Sequence, residues 1–305
     1  MTETFLPGLI PFTATSTEEK LQLIKERYPS FNLSDVFVWH QNLSDSIAKN
    51  NFFLSFFKQP LLFIRINGAV KPIIDHLRGA GVEVVEVMPN VLGLPNGIRL
   101  EEFIDDPSAY QIQDLSSHKT GTYFKPEKYD YWWDCCAASG GKSLLLHYIE
   151  PDLSLLVSDI RESSLQNLDE RFRIGGIKKY HKKVIDLLQN NEQILHHYSF
   201  DGILLDAPCS GSGTWGRTPE MLRYFEPHKI ENYAKLQKAL AARVVPYLKS
   251  GKPLIYMTCS VFKAENEDVV HYISENLPLK LEKMELIKGY DEQADNMFVA
   301  RFIKT

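Results

Sequence analysis

The spacing of apolar residues changes twice along the chain. Near its start "STEEKLQLIKERY" sets Leu21, Ile24 and Tyr28 at helical intervals behind a Ser/Thr cap, and residues 1–58 read as a helical segment, an appendage or a partner surface. From 59 to 115 the units shorten: "LLFIRIN" reads as a strand, "VKPIIDHLRGAG" as a helix stopped by glycine, and "VEVVEVMP" as a strand again, which predicts a small α/β domain. From 116 to 305 strand and helix patterns alternate, as a parallel sheet with crossover helices requires.

In that last stretch the strands are "YDYWW", "LSLLVS", "KKVI", "GILL" and "LIYMT", and the tail adds "LKLEKMELI" and "MFVARFI". Between them "GGKSLLLHYIE" is helical, and "RESSLQNLDERFRIGG" carries Leu165, Leu168 and Phe172 on one face before its glycines. Ile230, Tyr233, Leu236, Leu240 and Val244 mark a longer amphipathic helix that Pro246 is expected to bend and Gly251 to end. The expected fold class is α/β: a seven-stranded, doubly wound, Rossmann-like domain preceded by the small α/β domain and the helical segment.

Composition narrows the function classes. At 305 residues the chain suggests about two compact units, and 44% hydrophobic with 24% charged residues excludes a disordered or collagen-like chain. A net charge of -5 argues against a generally basic nucleic-acid binder, so any contact with RNA must use local patches. "MTETFLPGLIPF" lacks the basic flank and cleavage site of a signal peptide, so a cytoplasmic location is expected. The most apolar run, "NNFFLSFFKQPLLFIRI", is broken by Lys58 and Pro60 and falls short of the ~20 residues that span a bilayer, so no membrane contact is expected. Cys135, Cys136, Cys209 and Cys259 show no CxxC spacing, which leaves reactive or buried thiols and no expected metal.

The candidate chemistry lies at strand ends. "DCCAASGGKS", Asp134 to Ser143, separates the first strand from its helix, where a doubly wound sheet binds its cofactor. A P-loop would need glycine where Cys136 stands, and GxGxxG is absent, so neither a nucleoside triphosphate nor a dinucleotide is favoured. Asp159 ends the second strand, where a carboxylate accepts from ribose hydroxyls, and Asp186 ends the third, within reach of an adenine amino group. Each acid alone reads more readily as a helix cap or solvated turn; their succession reads as a site. Adenosine without phosphates, with an amino-acid end facing the helix N-terminus, describes S-adenosylmethionine.

Cys209 in "DAPCSGSG" and Cys259 in "YMTCS" follow the fourth and fifth strands, which are adjacent in such sheets, about 4.8 Å apart. Thiolate addition to carbon 6 of a pyrimidine makes carbon 5 nucleophilic toward a sulfonium methyl, and a second thiol can assist loss of the carbon 5 proton. Asp206 stands where it could hold the Watson–Crick edge and share a proton with ring nitrogen 3. The competing reading makes both cysteines small buried hydrophobes. For RNA contact the basic candidates are "KKYHKK", Lys178 to Lys183, with Arg217 and Arg223, while Trp215 and Tyr256 are candidates to stack on an extruded base.

Taken together, "DCCAASGGK", "SDIRESSL", "VIDLL", "DAPCSGSG" and "YMTCSVFKAENE" resemble, in order and spacing, the RNA cytosine-5 methyltransferases of the Nol/Nop/Sun family, including the bacterial 16S ribosomal RNA enzymes. "YQIQDLSS" and "DNMFVARF" extend the likeness over roughly residues 60–305. The resemblance implies a monomer that methylates ribosomal RNA or transfer RNA, with Cys259 as nucleophile and Cys209 as the release residue. It implies a cofactor site lined by Cys136, Ala137, Ala138, Ser139, Gly140, Gly141, Lys142, Asp159, Asp186 and Asp206, and an RNA-recognition-like early domain. Ser139 stands where the family has proline, so a looser loop is expected. A silent ribosome-assembly binder stays open as the alternative, although two intact thiols favour the enzyme.

Overall fold

The computed structural model describes residues 16–305; the first residues of the predicted helical segment, and the stretch read for a leader, lie outside the described residues. Ser16 caps the helix Thr17–Arg27 reciprocally with Glu19, yet this helix buries no side chain. The chain then folds back through short turns and the helix Lys49–Ser55. Here the appendage reading fails. The Trp215 ring lies 5.6 Å from Phe37 and 5.4 Å from Trp39, and Trp39 lies 5.5 Å from Phe225. Phe37, Phe52 and Phe53 are buried with them, because an aromatic ring gains about 1.5–3 kcal/mol on leaving water.

The small sheet contains β1 (Leu62–Ile66), β2 (Val85–Met88), β3 (Val91–Leu94) and β4 (Tyr110–Ile112), with the helix Val70–Gly79 between β1 and β2. Its order is β2-β3-β1-β4, and every pair is antiparallel. β3 and β4 were not expected from the sequence. β3 follows β2 after a tight turn at Pro89 and Asn90, with Asn90 left-handed at φ 63°, and β4 is three residues, too short to show alternation.

The large sheet holds β5 (Tyr131–Asp134), β6 (Ser154–Asp159), β7 (Tyr180–Val184), β8 (Gly202–Asp206), β9 (Pro253–Thr258), β10 (Leu279–Ile287) and β11 (Met297–Lys304). Its order is β10-β11-β9-β8-β5-β6-β7, parallel from β9 to β7 and antiparallel where β11 joins β9 and β10. Trp132 and Trp133 are neighbours on β5 and so face opposite ways: Trp133 packs with Phe200, Leu205 and Tyr256, Trp132 with Leu144, Leu155 and Leu168. A Cβ on Gly202 would lie 2.4 Å from the Trp132 indole, so only glycine lets β8 pass there.

Helices cover both faces. Gly141–Ile149 and Glu162–Ile174 lie on the Trp132 side, His228–Val244 and Glu267–Asn276 on the Trp133 side. The long helix stops at Val244, and Pro246 sits in the next 3-10 turn instead of bending it. From β5 the sheet grows through β6 on one side and β8 on the other, which opens a crevice at the carboxyl ends of these strands. Among the described residues no helix is long and apolar enough to cross a membrane.

Candidate active site

The crevice begins with the loop between β5 and the helix Gly141–Ile149. Asp134 ends β5 wholly buried, accepting from the Ser143 hydroxyl at 2.7 Å, while its other oxygen has no partner. Burial pushes its carboxyl up to about 7. Cys135 is buried with its thiol on the Leu204 carbonyl at 3.1 Å; Cys136 is half-buried. The Ala137 amide donates to the Ser158 carbonyl at 2.9 Å, and the Ala138 amide to Asp159 at 2.9 Å. Gly140 is left-handed at φ 82° and lies so close to Phe172 that a Cβ would fall 2.6 Å from its ring. The helix opens at Gly141, directly after it.

At Ser139, where a looser loop was expected, the structure shows hydrogen bonds to the loop backbone and side chain. The Arg171 guanidinium donates to its hydroxyl at 2.7 Å and to its carbonyl at 3.1 Å, so hydrogen bonds fix the backbone where a proline ring would.

Asp159, at the end of β6, also accepts from the Arg161 amide at 2.9 Å. Asp186, just past β7, accepts from the Leu188 amide at 3.0 Å and so closes its own turn. Lys142, only 7% exposed, reaches across the crevice to Asp206 at 2.9 Å and to the Ser117 hydroxyl at 2.9 Å. Sequence reasoning placed Lys142 with the cofactor loop but did not foresee this ion pair with the end of β8.

β8 and β9 are parallel neighbours with Asp206 opposite Met257, and the loops that follow them carry the thiols. The Cys209 and Cys259 sulfurs lie 3.3 Å apart. Contact with the Cys259 sulfur, and then burial, push the Cys209 thiol well above its ordinary value.

Several sequence candidates fall elsewhere. Trp215 and Tyr256 are fully buried, and the Tyr256 hydroxyl donates to the Glu265 carbonyl at 2.6 Å, so both belong to the core and neither can stack on a base. Arg217 is bound to Asp295 at 2.8 Å, Asp114 at 3.0 Å and the Leu61 carbonyl at 3.0 Å, which ties the small sheet to the Cys209 loop. Lys182 and Lys183 lie on β7, the edge strand, with Lys182 paired to Asp169 and Lys183 over the Tyr198 ring. Lysines on an edge strand deter pairing with another chain. Two apolar side chains were missed: Ile160 and Leu188 stand 62% and 43% exposed beside Asp159 and Asp186. Their signal was an apolar residue one position after Asp159 and two positions after Asp186.

With this geometry in view, the comparisons are direct. Residues 121–303, more than half of the chain, match the family model described as 16S rRNA methyltransferase RsmB/F. The chain belongs to this family. Among its relatives, the ribosomal RNA small subunit methyltransferase B of Proteus mirabilis is 29% identical over 286 residues, covering 87% of this chain and 65% of the relative. The probable ribosomal RNA small subunit methyltransferase B of Bacillus subtilis is 27% identical over 234 residues, covering 74% and 52%. The chain thus spans about half to two thirds of the length of these RsmB relatives. Two solved structures from Pyrococcus horikoshii share the fold: NSun6 with SFG, at TM-score 0.76 and 18% identity over 88% of this chain and 97% of that one, and a methyltransferase homolog at 0.73 and 20% over 96% and 100%. The Nol/Nop/Sun resemblance read from the motifs agrees with this RsmB/F membership.

Proposed function

We propose that the protein transfers a methyl group from S-adenosylmethionine to carbon 5 of a cytosine in ribosomal RNA, through an adduct joining Cys259 to carbon 6. The observation that carries this reading is the 3.3 Å contact between the Cys209 and Cys259 sulfurs at the ends of adjacent strands. A fold or a binding role needs no such pair, whereas addition and elimination at a pyrimidine can use one thiol as nucleophile and the other as base. The RsmB/F family and the named ribosomal RNA substrate of the relatives support the choice of RNA.

The residues fit the cofactor. Ile160 and Leu188 offer exposed apolar surface for a purine between Asp159 and Asp186, whose carboxylates suit ribose hydroxyls and an amino group. Lys142 is committed to Asp206, so the loop gathers no cation cluster for phosphates. When bound, S-adenosylmethionine supplies a methyl group on a positively charged sulfur.

Two thiolates 3.3 Å apart would repel strongly, so Cys209, whose thiol the contact and burial push upward, keeps its proton while Cys259 attacks. Cys259 bonds to carbon 6, and Asp206, a carboxylate in its ion pair with Lys142, relays a proton from solvent to nitrogen 3, which balances the charge now on the ring. The Cys259 charge is consumed in the new bond. Cys209 then releases its proton to solvent and, as a base, takes the remaining proton from methylated carbon 5. The carbon 6–sulfur bond breaks, Cys259 leaves as thiolate, and nitrogen 3 gives its proton back to solvent through Asp206.

The test is to map 5-methylcytosine in small-subunit ribosomal RNA and transfer RNA from cells with and without the gene. Loss of methylation at a defined ribosomal cytosine is expected; identical maps contradict the proposal, and loss confined to transfer RNA moves the substrate.

A further inference from the structure

Beneath the two sulfurs the cysteine loops are joined by polar groups that the proposed chemistry does not use. Glu265 is fully buried, and its bonded partners are all dipoles: the Ser210 amide at 2.9 Å, the Gln237 side-chain amide at 3.1 Å and the Ser260 hydroxyl at 2.8 Å. The hydroxyls of Ser210, Ser212 and Ser260 form a triangle with sides of 3.0, 3.1 and 3.2 Å. Ser212 accepts from the Val261 amide at 2.9 Å, and Ser260 from the Phe262 amide at 3.0 Å. With Ser260 donating to Glu265, the hydroxyl protons run in series from Ser210 through Ser212 and Ser260 onto the carboxylate. Three donors converge on Glu265, an arrangement that only an acceptor satisfies.

Glu265 and its chain neighbour Asn266 also reach the other flanks, Glu265 through Gln237. Gln237, bound to Glu265, also donates to the Pro208 carbonyl at 3.0 Å. Asn266 accepts from the Thr258 hydroxyl at 2.6 Å and donates to the Ser260 carbonyl at 2.9 Å. Residues on both sides of Cys209 and on both sides of Cys259 therefore converge on Glu265 and Asn266. We propose that Glu265 is the positioning residue of the thiol pair: its buried carboxylate locks the two cysteine loops in register and holds their sulfurs in contact. Its effect on turnover rests on the proposed function; its effect on the sulfurs does not.

The experiment reads the two effects separately on the full chain. Diamide, an azo oxidant, takes two protons and two electrons from a pair of neighbouring thiols, giving a disulfide and a hydrazine. The rate at which it bridges Cys209 to Cys259, followed by peptide mapping, reports their proximity without any RNA. Glu265→Gln, nearly equal in volume but turning an amide against the converging donors, should slow bridging at least tenfold. It should lower single-turnover methyl transfer at least tenfold while calorimetry shows affinity for S-adenosylmethionine within twofold. Gln237→Met, which removes only the link to Pro208 and one bond to Glu265, should shift bridging in the same direction by a smaller factor, and it decides the matter if Glu265→Gln does not fold. Bridging at the wild-type rate in the variants that fold overturns the proposal, as does slower bridging accompanied by an equal loss of cofactor affinity. If the unaltered protein methylates no RNA but Glu265→Gln still slows bridging, the functional reading fails and the positioning role stands.

Discussion

Arg217 shows how a basic side chain near a pocket can belong to the scaffold. It lies between two carboxylates, and the Asp295 amide itself donates to Asp114 at 3.0 Å, so the three residues form one half-buried knot. Burial, with Asp114 adding to it, pushes the Asp295 carboxyl upward, and Arg217 opposes both. Arg217→Ala should cost about 1–3 kcal/mol in denaturant unfolding, because it leaves two half-buried carboxylates without the charged hydrogen bonds that hold them. The loss should be larger at pH 8 than at pH 5, where protonation of Asp295 relieves it. An unchanged midpoint together with weakened RNA binding would return Arg217 to the RNA surface. From the sequence the two roles were indistinguishable, since Asp114 and Asp295 are remote in the chain.

At the scale of elements, the end of β5 carries its own pH signature. Asp134 is held near 7 in the fold against 3.8 for the free side chain, so the folded state keeps a proton that the unfolded chain gives up between those values. Its contribution is fully present below about pH 4 and falls by about 1.4 kcal/mol for each pH unit as pH rises toward 7. Asp134→Asn keeps an acceptor for Ser143 and should raise the melting temperature at pH 8 with little change at pH 4; equal changes at both would deny the raised carboxyl. The edge strand β7 yields a second expectation. Lys178 and Lys179 precede it, and so lie at the end of the parallel sheet opposite the crevice. Replacing Lys178, Lys179, Lys182 and Lys183 by serine should leave the salt slope of RNA binding nearly unchanged while promoting self-association; a slope reduced by about 2–3 would place phosphates there. Five strands of this sheet were legible as buried runs between turn signals, while the mostly exposed β7 and β10 were read from their place in the alternation and in the tail. β3 and β4 were not, being too short for a period to register, and Gln237 was overlooked as a polar residue within an apolar helix face.

Over the whole molecule the site depends on pieces brought together from far along the chain. The aromatic segment around Phe37 and Trp39 packs under the Cys209 loop through Trp215 and Phe225, and Gln113, following β4, donates to the Gly141 carbonyl at 3.2 Å beside the cofactor loop. Neither contact has a local sequence signal, which is why the N-terminal segment read as an appendage. The thiols were legible, because proline-cysteine and threonine-cysteine each end an apolar strand; their 3.3 Å contact needed the register of β8 on β9. That contact is the centre of the account, and the most direct test separates the two sulfurs by their failures. Protein carrying Cys259→Ala or Cys209→Ala is incubated with RNA and radiolabelled methyl donor and run on a denaturing gel. Cys259→Ala should give neither methylated RNA nor adduct, and Cys209→Ala a denaturant-resistant protein–RNA complex that carries the label. An adduct with Cys259→Ala and none with Cys209→Ala would reverse the roles, and full turnover by both variants would contradict the account.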